Sequence, residues 1–188
     1  RPAGEPPIPH LGEGRDRATY HAGAVGLHES AVPDLKNRDH RIRAEIVVPE
    51  SGGRGVLATQ GGVVAGWALY LTADGRPAYV YNLFGKTVTT VVASEALAPG
   101  PVRVELRFDY DEAKRGDRSG PAYGRGAGLE LRVDGRRVAE GRLARSVPGF
   151  FSIDETFDVG IDTGSPAGDY PPGFAFNGRI EQVVLDAR

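Results

Sequence analysis

The string FSIDETFDVGIDTG, Phe151 to Gly164, carries the carboxylates of Asp154, Glu155, Asp158 and Asp162. Carboxylates at this density can supply a general acid and base, ligate a hard cation, or decorate the rim of a strand. Glycoside hydrolysis sets its two carboxyls about 5–5.5 Å apart when it retains configuration and about 6.5–9.5 Å apart when it inverts. Asp154, Asp158 and Asp162 recur every fourth residue and would share a helical face. However, Gly160 and Gly164 each cost about 1 kcal/mol inside a helix, and the Val, Ile and Thr residues here favour strand. Phe157, Val159 and Ile161 alternate with Asp158, Gly160 and Asp162. The segment therefore reads as a strand, on which Asp158 and Asp162 lie about 13 Å apart. A glycosidase pair within it is disfavoured by that spacing. A metal stays open, because Asp154, Glu155, Asp158, Asp162 and Asp169 offer the hard oxygens that Ca²⁺ takes, although no EF-hand spacing is present. Asp154, Asp158 and Asp162 are the candidate calcium ligands; the competing reading is carboxylates that are solvated or capping beside a turn.

Other catalytic patterns are missing. There is no Cys, which removes disulfides, thiolate zinc sites and a cysteine nucleophile. His10, His21, His28 and His40 show no H-x-H or H-E-x-x-H spacing for zinc, and no G-x-S-x-G elbow occurs. A net charge of -2 leaves no basic footprint for nucleic acid, and no apolar run reaches the length of a membrane span. The Gly124-x-Gly126-x-Gly128 run lacks the strand-then-helix context of a phosphate cradle. Trp67, Tyr79 and Tyr81 sit on strand faces, where core packing is the reading preferred over a sugar-stacking platform.

The elements that must position these residues are strands. In PVRVELRFDY, Val102, Val104, Leu106, Phe108 and Tyr110 share one face, and Arg103, Glu105, Arg107 and Asp109 the other. RIRAEIVV puts Ile42, Ala44, Ile46 and Val48 inward in the same way. GLELRVDGRRVAEGRL is a hairpin with Asp134-Gly135 suited to a type I′ turn, and AGWALYLTADGRPAYVYNLF bends at Asp74-Gly75. TVTTVVAS and GRIEQVVLDA add β-branched strands, and no amphipathic helix of ten residues is visible. Some ten to twelve short strands predict an all-β chain, an antiparallel β-sandwich or jelly roll.

Residues Arg1 to Thr19 are Pro- and Gly-rich and read as a linker or extended arm, leaving one sandwich domain over 20–188. DEAKRGDRSGPAYGRGAG, Asp111 to Gly128, reads as a solvated loop between strands, its R-G-D letters included. Arg1 is not a Met and no signal peptide follows, so the chain is expected to be part of a longer or processed product.

AVPDLKNRDHRIRAEIVVPESGGRGVLATQGG, GWALYLTADGRPAYVYNLFG, LRVDGRRVAEGRL and FSIDETFDVGIDTGSPAGDY together resemble the C-terminal region of large bacterial arylsulfatases of the alkaline-phosphatase-like superfamily, from about Tyr20 onward. In that family a separate α/β domain holds a divalent metal, usually Ca²⁺, and a formylglycine made from a C/S-x-P-x-R motif. The resemblance implies that this chain is the non-catalytic β-sandwich appendage whose partner is the sulfatase catalytic domain. The Asp111–Gly128 loop is longer and more charged than the resemblance implies. SVPGF, Ser146 to Phe150, has Phe150 where that motif needs Arg, and reads as a turn.

Three functions follow as expectations. The first is an appendage that packs on a sulfatase catalytic domain and supports it. The second is a lectin-like carbohydrate-binding module with a glycan as partner. The third is a stand-alone glycosidase on a concanavalin-like fold, which needs carboxylates from different strands to converge in a groove.

Overall fold

The computed structural model describes residues 14–111 and 123–188 as a sandwich of two antiparallel sheets. The elements are β1 Arg17–Tyr20, a 3₁₀ turn Glu29–Ala31, β2 His40–Val48, β3 Gly55–Gly61, β4 Gly66–Leu71, β5 Pro77–Leu83, β6 Thr87–Val92, β7 Gly100–Tyr110, β8 Ala127–Val133, β9 Arg136–Leu143, β10 Phe157–Val159 and β11 Arg179–Ala187. One sheet has six strands in the order β1-β11-β2-β7-β8-β9, and the other has five in the order β10-β3-β4-β5-β6. The all-β sandwich expected from the alternation is the architecture observed.

The alternation also sets the core. Ile42, Ala44 and Ile46 of β2, Val104, Leu106 and Phe108 of β7, and Leu129 and Leu131 of β8 turn inward, onto Trp67, Leu69, Tyr79 and Phe157 of the smaller sheet. Period two puts every second side chain on one face, so the other set, almost entirely charged, faces out. The β8–β9 hairpin turns on Asp134 and Gly135 at φ 48° and 83°, the left-handed pair that a type I′ turn needs.

The five-stranded sheet is covered on both sides. Every residue of β3 and β4 is buried. The outer residues Val56, Ala68, Tyr70, Ala78 and Val80 form a second, smaller core with Ala167 and Tyr170, against which Phe174 packs. The segment after β10 thus closes over this sheet. Its return is tight at Gly55, where a Cβ would lie 2.2 Å from the Ala175 carbonyl oxygen, so no side chain fits.

Two boundaries differ from the sequence reading. The first strand begins at Arg17, inside the segment expected to be linker, because Arg17 to Tyr20 pair with β11 as the edge strand, in register with Asp186 to Val183. Residues 1–13 and 112–122, with the R-G-D letters, lie outside the described residues. The second difference concerns the acidic strand and is taken up below.

Candidate functional site

Sequence spacing drew attention to Asp154, Asp158 and Asp162, and the structure corrects the geometry assumed for them. The strand stops at Val159, because Gly160 takes φ 86° and turns the chain. The backbone then folds back, and Thr163 donates to Asp158 Oδ2 from both its amide at 2.8 Å and its hydroxyl at 2.6 Å. Gly26 N and Thr156 Oγ1 donate to Asp158 Oδ1 at 2.7 and 3.1 Å. A carboxylate only 1 % exposed is thereby satisfied by four protein donors.

Asp162 is 2 % exposed and accepts from Gly164 N at 3.1 Å and Tyr170 Oη at 2.6 Å. Burial raises its pKa above the ordinary carboxylate value, and the neighbouring Asp158 and Glu155 charges push the same way. Glu155 accepts from Ser165 through both the amide and the hydroxyl. The turn thus brings Glu155, Asp158 and Asp162 together and leaves Asp154 exposed, with its amide donating to Ser152 Oγ. Among the described residues, no group of three or more His, Cys, Asp or Glu side chains is placed to hold a metal ion. The carboxylates fasten the segment that closes the smaller sheet, and burial keeps Asp158 and Asp162 from any substrate.

The SVPGF string is likewise structural. Ser146 is buried, and its hydroxyl donates to the Arg125 carbonyl at 2.7 Å. Val147 N donates to Tyr81 Oη at 2.9 Å. Buried Glu29 holds the next loop, accepting from Phe151 N at 2.9 Å and pairing with Lys36 Nζ at 2.5 Å.

Among the described residues, the strands of the smaller sheet present no aromatic platform for a sugar. Trp67, Tyr79 and Tyr81 are buried between the sheets, as expected, and Trp67 Nε1 donates to Gln60 Oε1 at 3.2 Å. The outer face of that sheet lies under Ala167, Tyr170 and Phe174.

The outer face of the six-stranded sheet presents half-exposed charges, and register organises them into rows. One row runs Thr19, Val184, Arg43, Glu105, Arg132, Arg137, and the next runs Arg17, Asp186, Arg41, Arg107, Glu130, Glu140. Ion pairs bind the lattice. Glu105 accepts from Arg107 Nε at 2.6 Å and lies 3.6 Å from Arg43 Nε, while Glu130 pairs with Arg132 and Glu45 with Arg103 at 3.1 Å. Two shallow clefts flank the rows. One of about 400 Å³ is lined by Asp109, Gly128, Glu130, Glu140 and Arg142, and one of about 370 Å³ by Glu45, Pro101, Arg103, Asp134 and Glu181. Strand β7 connects them, carrying Arg103, Glu105, Arg107 and Asp109 from one cleft to the other. Side chains of this kind exchange hydrogen bonds with hydroxyls and anions without a stacked ring. Sequence alone marked these residues as the polar side of strands; their signal was a charge at nearly every outward position.

A second surface lies at one end of the smaller sheet. Val63, Val64, Phe84 and Val88 are each about half exposed or more. Asn82 Nδ2 donates to the carbonyls of Gly62 and Val63, and its Oδ1 accepts from Gly85 N, so the β3–β4 and β5–β6 turns are bound side by side. Phe84 sits at φ 54°, followed by Gly85 at 63°, in a turn closed by Lys86 N to Leu83 O at 3.1 Å. That is a type I′ turn, whose first central position prefers Asn, Asp or Gly. An exposed Phe there runs against local preference.

No family profile matches the sequence, and no curated protein matches it. Solved structures do. The chain is similar to the Ruminococcus gnavus IT-sialidase CBM40 bound to α2,6 sialyllactose, at 14% identity and a TM-score of 0.55, covering 90% of this chain and 91% of that one. It is similar to the same module bound to α2,3 sialyllactose, at 14% identity and a TM-score of 0.53, covering 90% of each. A leech intramolecular trans-sialidase matches over 92% of this chain and 25% of its own, at 13% identity and a TM-score of 0.50. At these identities the likeness is one of fold: a jelly-roll, concanavalin-like sandwich.

Proposed function

We propose that this chain is a non-catalytic, lectin-like carbohydrate-binding domain that lays a glycan across the outer face of its six-stranded sheet. The observation that carries the reading is the pair of Arg and carboxylate rows running between two clefts on the outer face of the six-stranded sheet. Likeness in fold, over 90% of the chain, to a module with sialyllactose bound supports the same reading. Buried, fully bonded Asp158 and Asp162 argue against a glycosidase pair. Calorimetric titration against a panel of neutral and acidic oligosaccharides tests the proposal, with saturable binding to at least one member expected. A folded chain that binds none of them contradicts it.

A second reading is favoured by the end that carries Val63, Val64, Phe84 and Val88. Exposed apolar residues gathered in this way mark contact with another protein surface. An appendage docked through this end would leave the charged face free, so the two roles are compatible. The arylsulfatase resemblance makes a sulfatase catalytic domain the partner this reading names, and any calcium or formylglycine would belong to that domain.

A further inference from the structure

The charge rows are unbalanced at one place. Arg41 on β2 is directly opposite Arg107 on β7, with Arg43 two residues along β2 from Arg41. Directly opposed residues in an antiparallel pair have Cα atoms about 5 Å apart, and like charges there are destabilising. The carboxylates across from these two arginines have other ion-pair partners. Glu130, across from Arg107, pairs with Arg132, and Asp186, across from Arg41, lies 3.5 Å from Arg188. Glu105 alone serves both Arg107 and Arg43. Arg41 has no ion pair among the described residues. Arg107 and Arg43 thus share Glu105, with Glu130 and Asp109 also attracting Arg107, and Arg41 stands opposite Arg107 without an ion pair of its own among the described residues.

A guanidinium is always charged, and its planar fork matches a carboxylate or a sulfate through paired hydrogen bonds. We infer that the glycan taken by this face carries an anionic group, a carboxylate or a sulfate ester, seated between Arg41 and Arg107. The inference rests on the glycan-binding reading and deepens it. The anion supplies the counter-charge that the lattice lacks, and neutral sugar hydroxyls extend toward the flanking carboxylates.

Sialyllactose against lactose, and galactose 6-sulfate against galactose, titrated calorimetrically at low and high salt, test it. At least one acidic member should bind ten-fold or more tightly than its neutral partner, with affinity falling as salt rises. The two pairs distinguish carboxylate from sulfate. Arg41→Ala and Arg107→Ala should each weaken acidic binding ten-fold or more, while Arg76→Ala, in the β4–β5 turn of the other sheet, should not. Because Arg41 gives up no ion pair, Arg41→Ala should melt no lower than the parent, so a binding loss cannot be ascribed to unfolding. Equal affinity for neutral and acidic partners, unchanged by Arg41→Ala, would overturn the anionic seat and leave glycan binding standing. Binding of no sugar at all would remove both.

Discussion

Tyr170 Oη donates a 2.6 Å hydrogen bond to Asp162 Oδ2, and both residues are buried where the segment after β10 lies on the five-stranded sheet. This bond joins the smaller core, through Tyr170, to the acidic turn. Tyr170→Phe keeps the ring but removes a donor from a buried carboxylate, which costs about 1–3 kcal/mol. Urea denaturation should show that loss with an unchanged slope. A change within about 0.5 kcal/mol would mean that the acidic turn does not hold the covering segment.

His40 gives the fold an acid limit. It is buried against Phe108, ring centroids 4.3 Å apart, and burial lowers its pKa from 6.5 to about 4. The unfolded chain thus binds the proton more readily than the folded one. The stability contributed is fully present above about pH 6.5 and is lost as pH falls to about 4, roughly 3 kcal/mol in all. Asp162 works in the opposite sense, because its raised pKa favours the protonated form in the fold. Melting temperature followed from pH 7 to pH 4 should fall, and His40→Phe should flatten that fall. An equally steep fall in the variant would place the acid sensitivity elsewhere.

How far the sequence foretold this arrangement depends on the strand. Strands β2, β7 and β8 have one buried and one outer face, so Ile42-Ala44-Ile46 and Val104-Leu106-Phe108 announce themselves by alternation. Strands β3 to β5 are buried on both faces, which hides the fact that Tyr70 and Val80 pack under Tyr170 and a distant segment. Alternation through Gly160 suggested that the acidic strand continued, but the left-handed φ of that glycine ended it. The unbalanced arginines were invisible for a different reason. Arg41 meets Arg107 only through the pairing of β2 with β7, and register between strands so far apart in sequence is not written in either strand alone.

Phe84 is expected to cost the isolated chain stability. Phe84→Asn places a preferred residue at the first central position of the type I′ turn and should raise stability by about 1 kcal/mol, near 2–4 °C in melting temperature. If this end docks on a neighbouring domain, the same change should weaken that association. A lower melting temperature for Phe84→Asn would show that the exposed ring supports the fold itself.

Calcium is expected to leave the chain unchanged. Asp158 already accepts four hydrogen bonds from protein donors, and Asp154 stands apart from it. Melting curves with excess calcium and with EDTA should superimpose. A rise with calcium would mean that the turn re-forms around the ion, through the mass-action stabilisation that follows a ligand bound to the folded state only.

Amide chemical-shift mapping during titration with an acidic oligosaccharide tests the central claim most directly. Glycan binding on the outer six-stranded face predicts saturable shifts along β2, β7 and β8 around Arg41, Arg43, Glu105, Arg107 and Glu130, with the Val63 and Phe84 turns unmoved. Shifts confined to those turns, or to the Tyr170 segment over the smaller sheet, would contradict it.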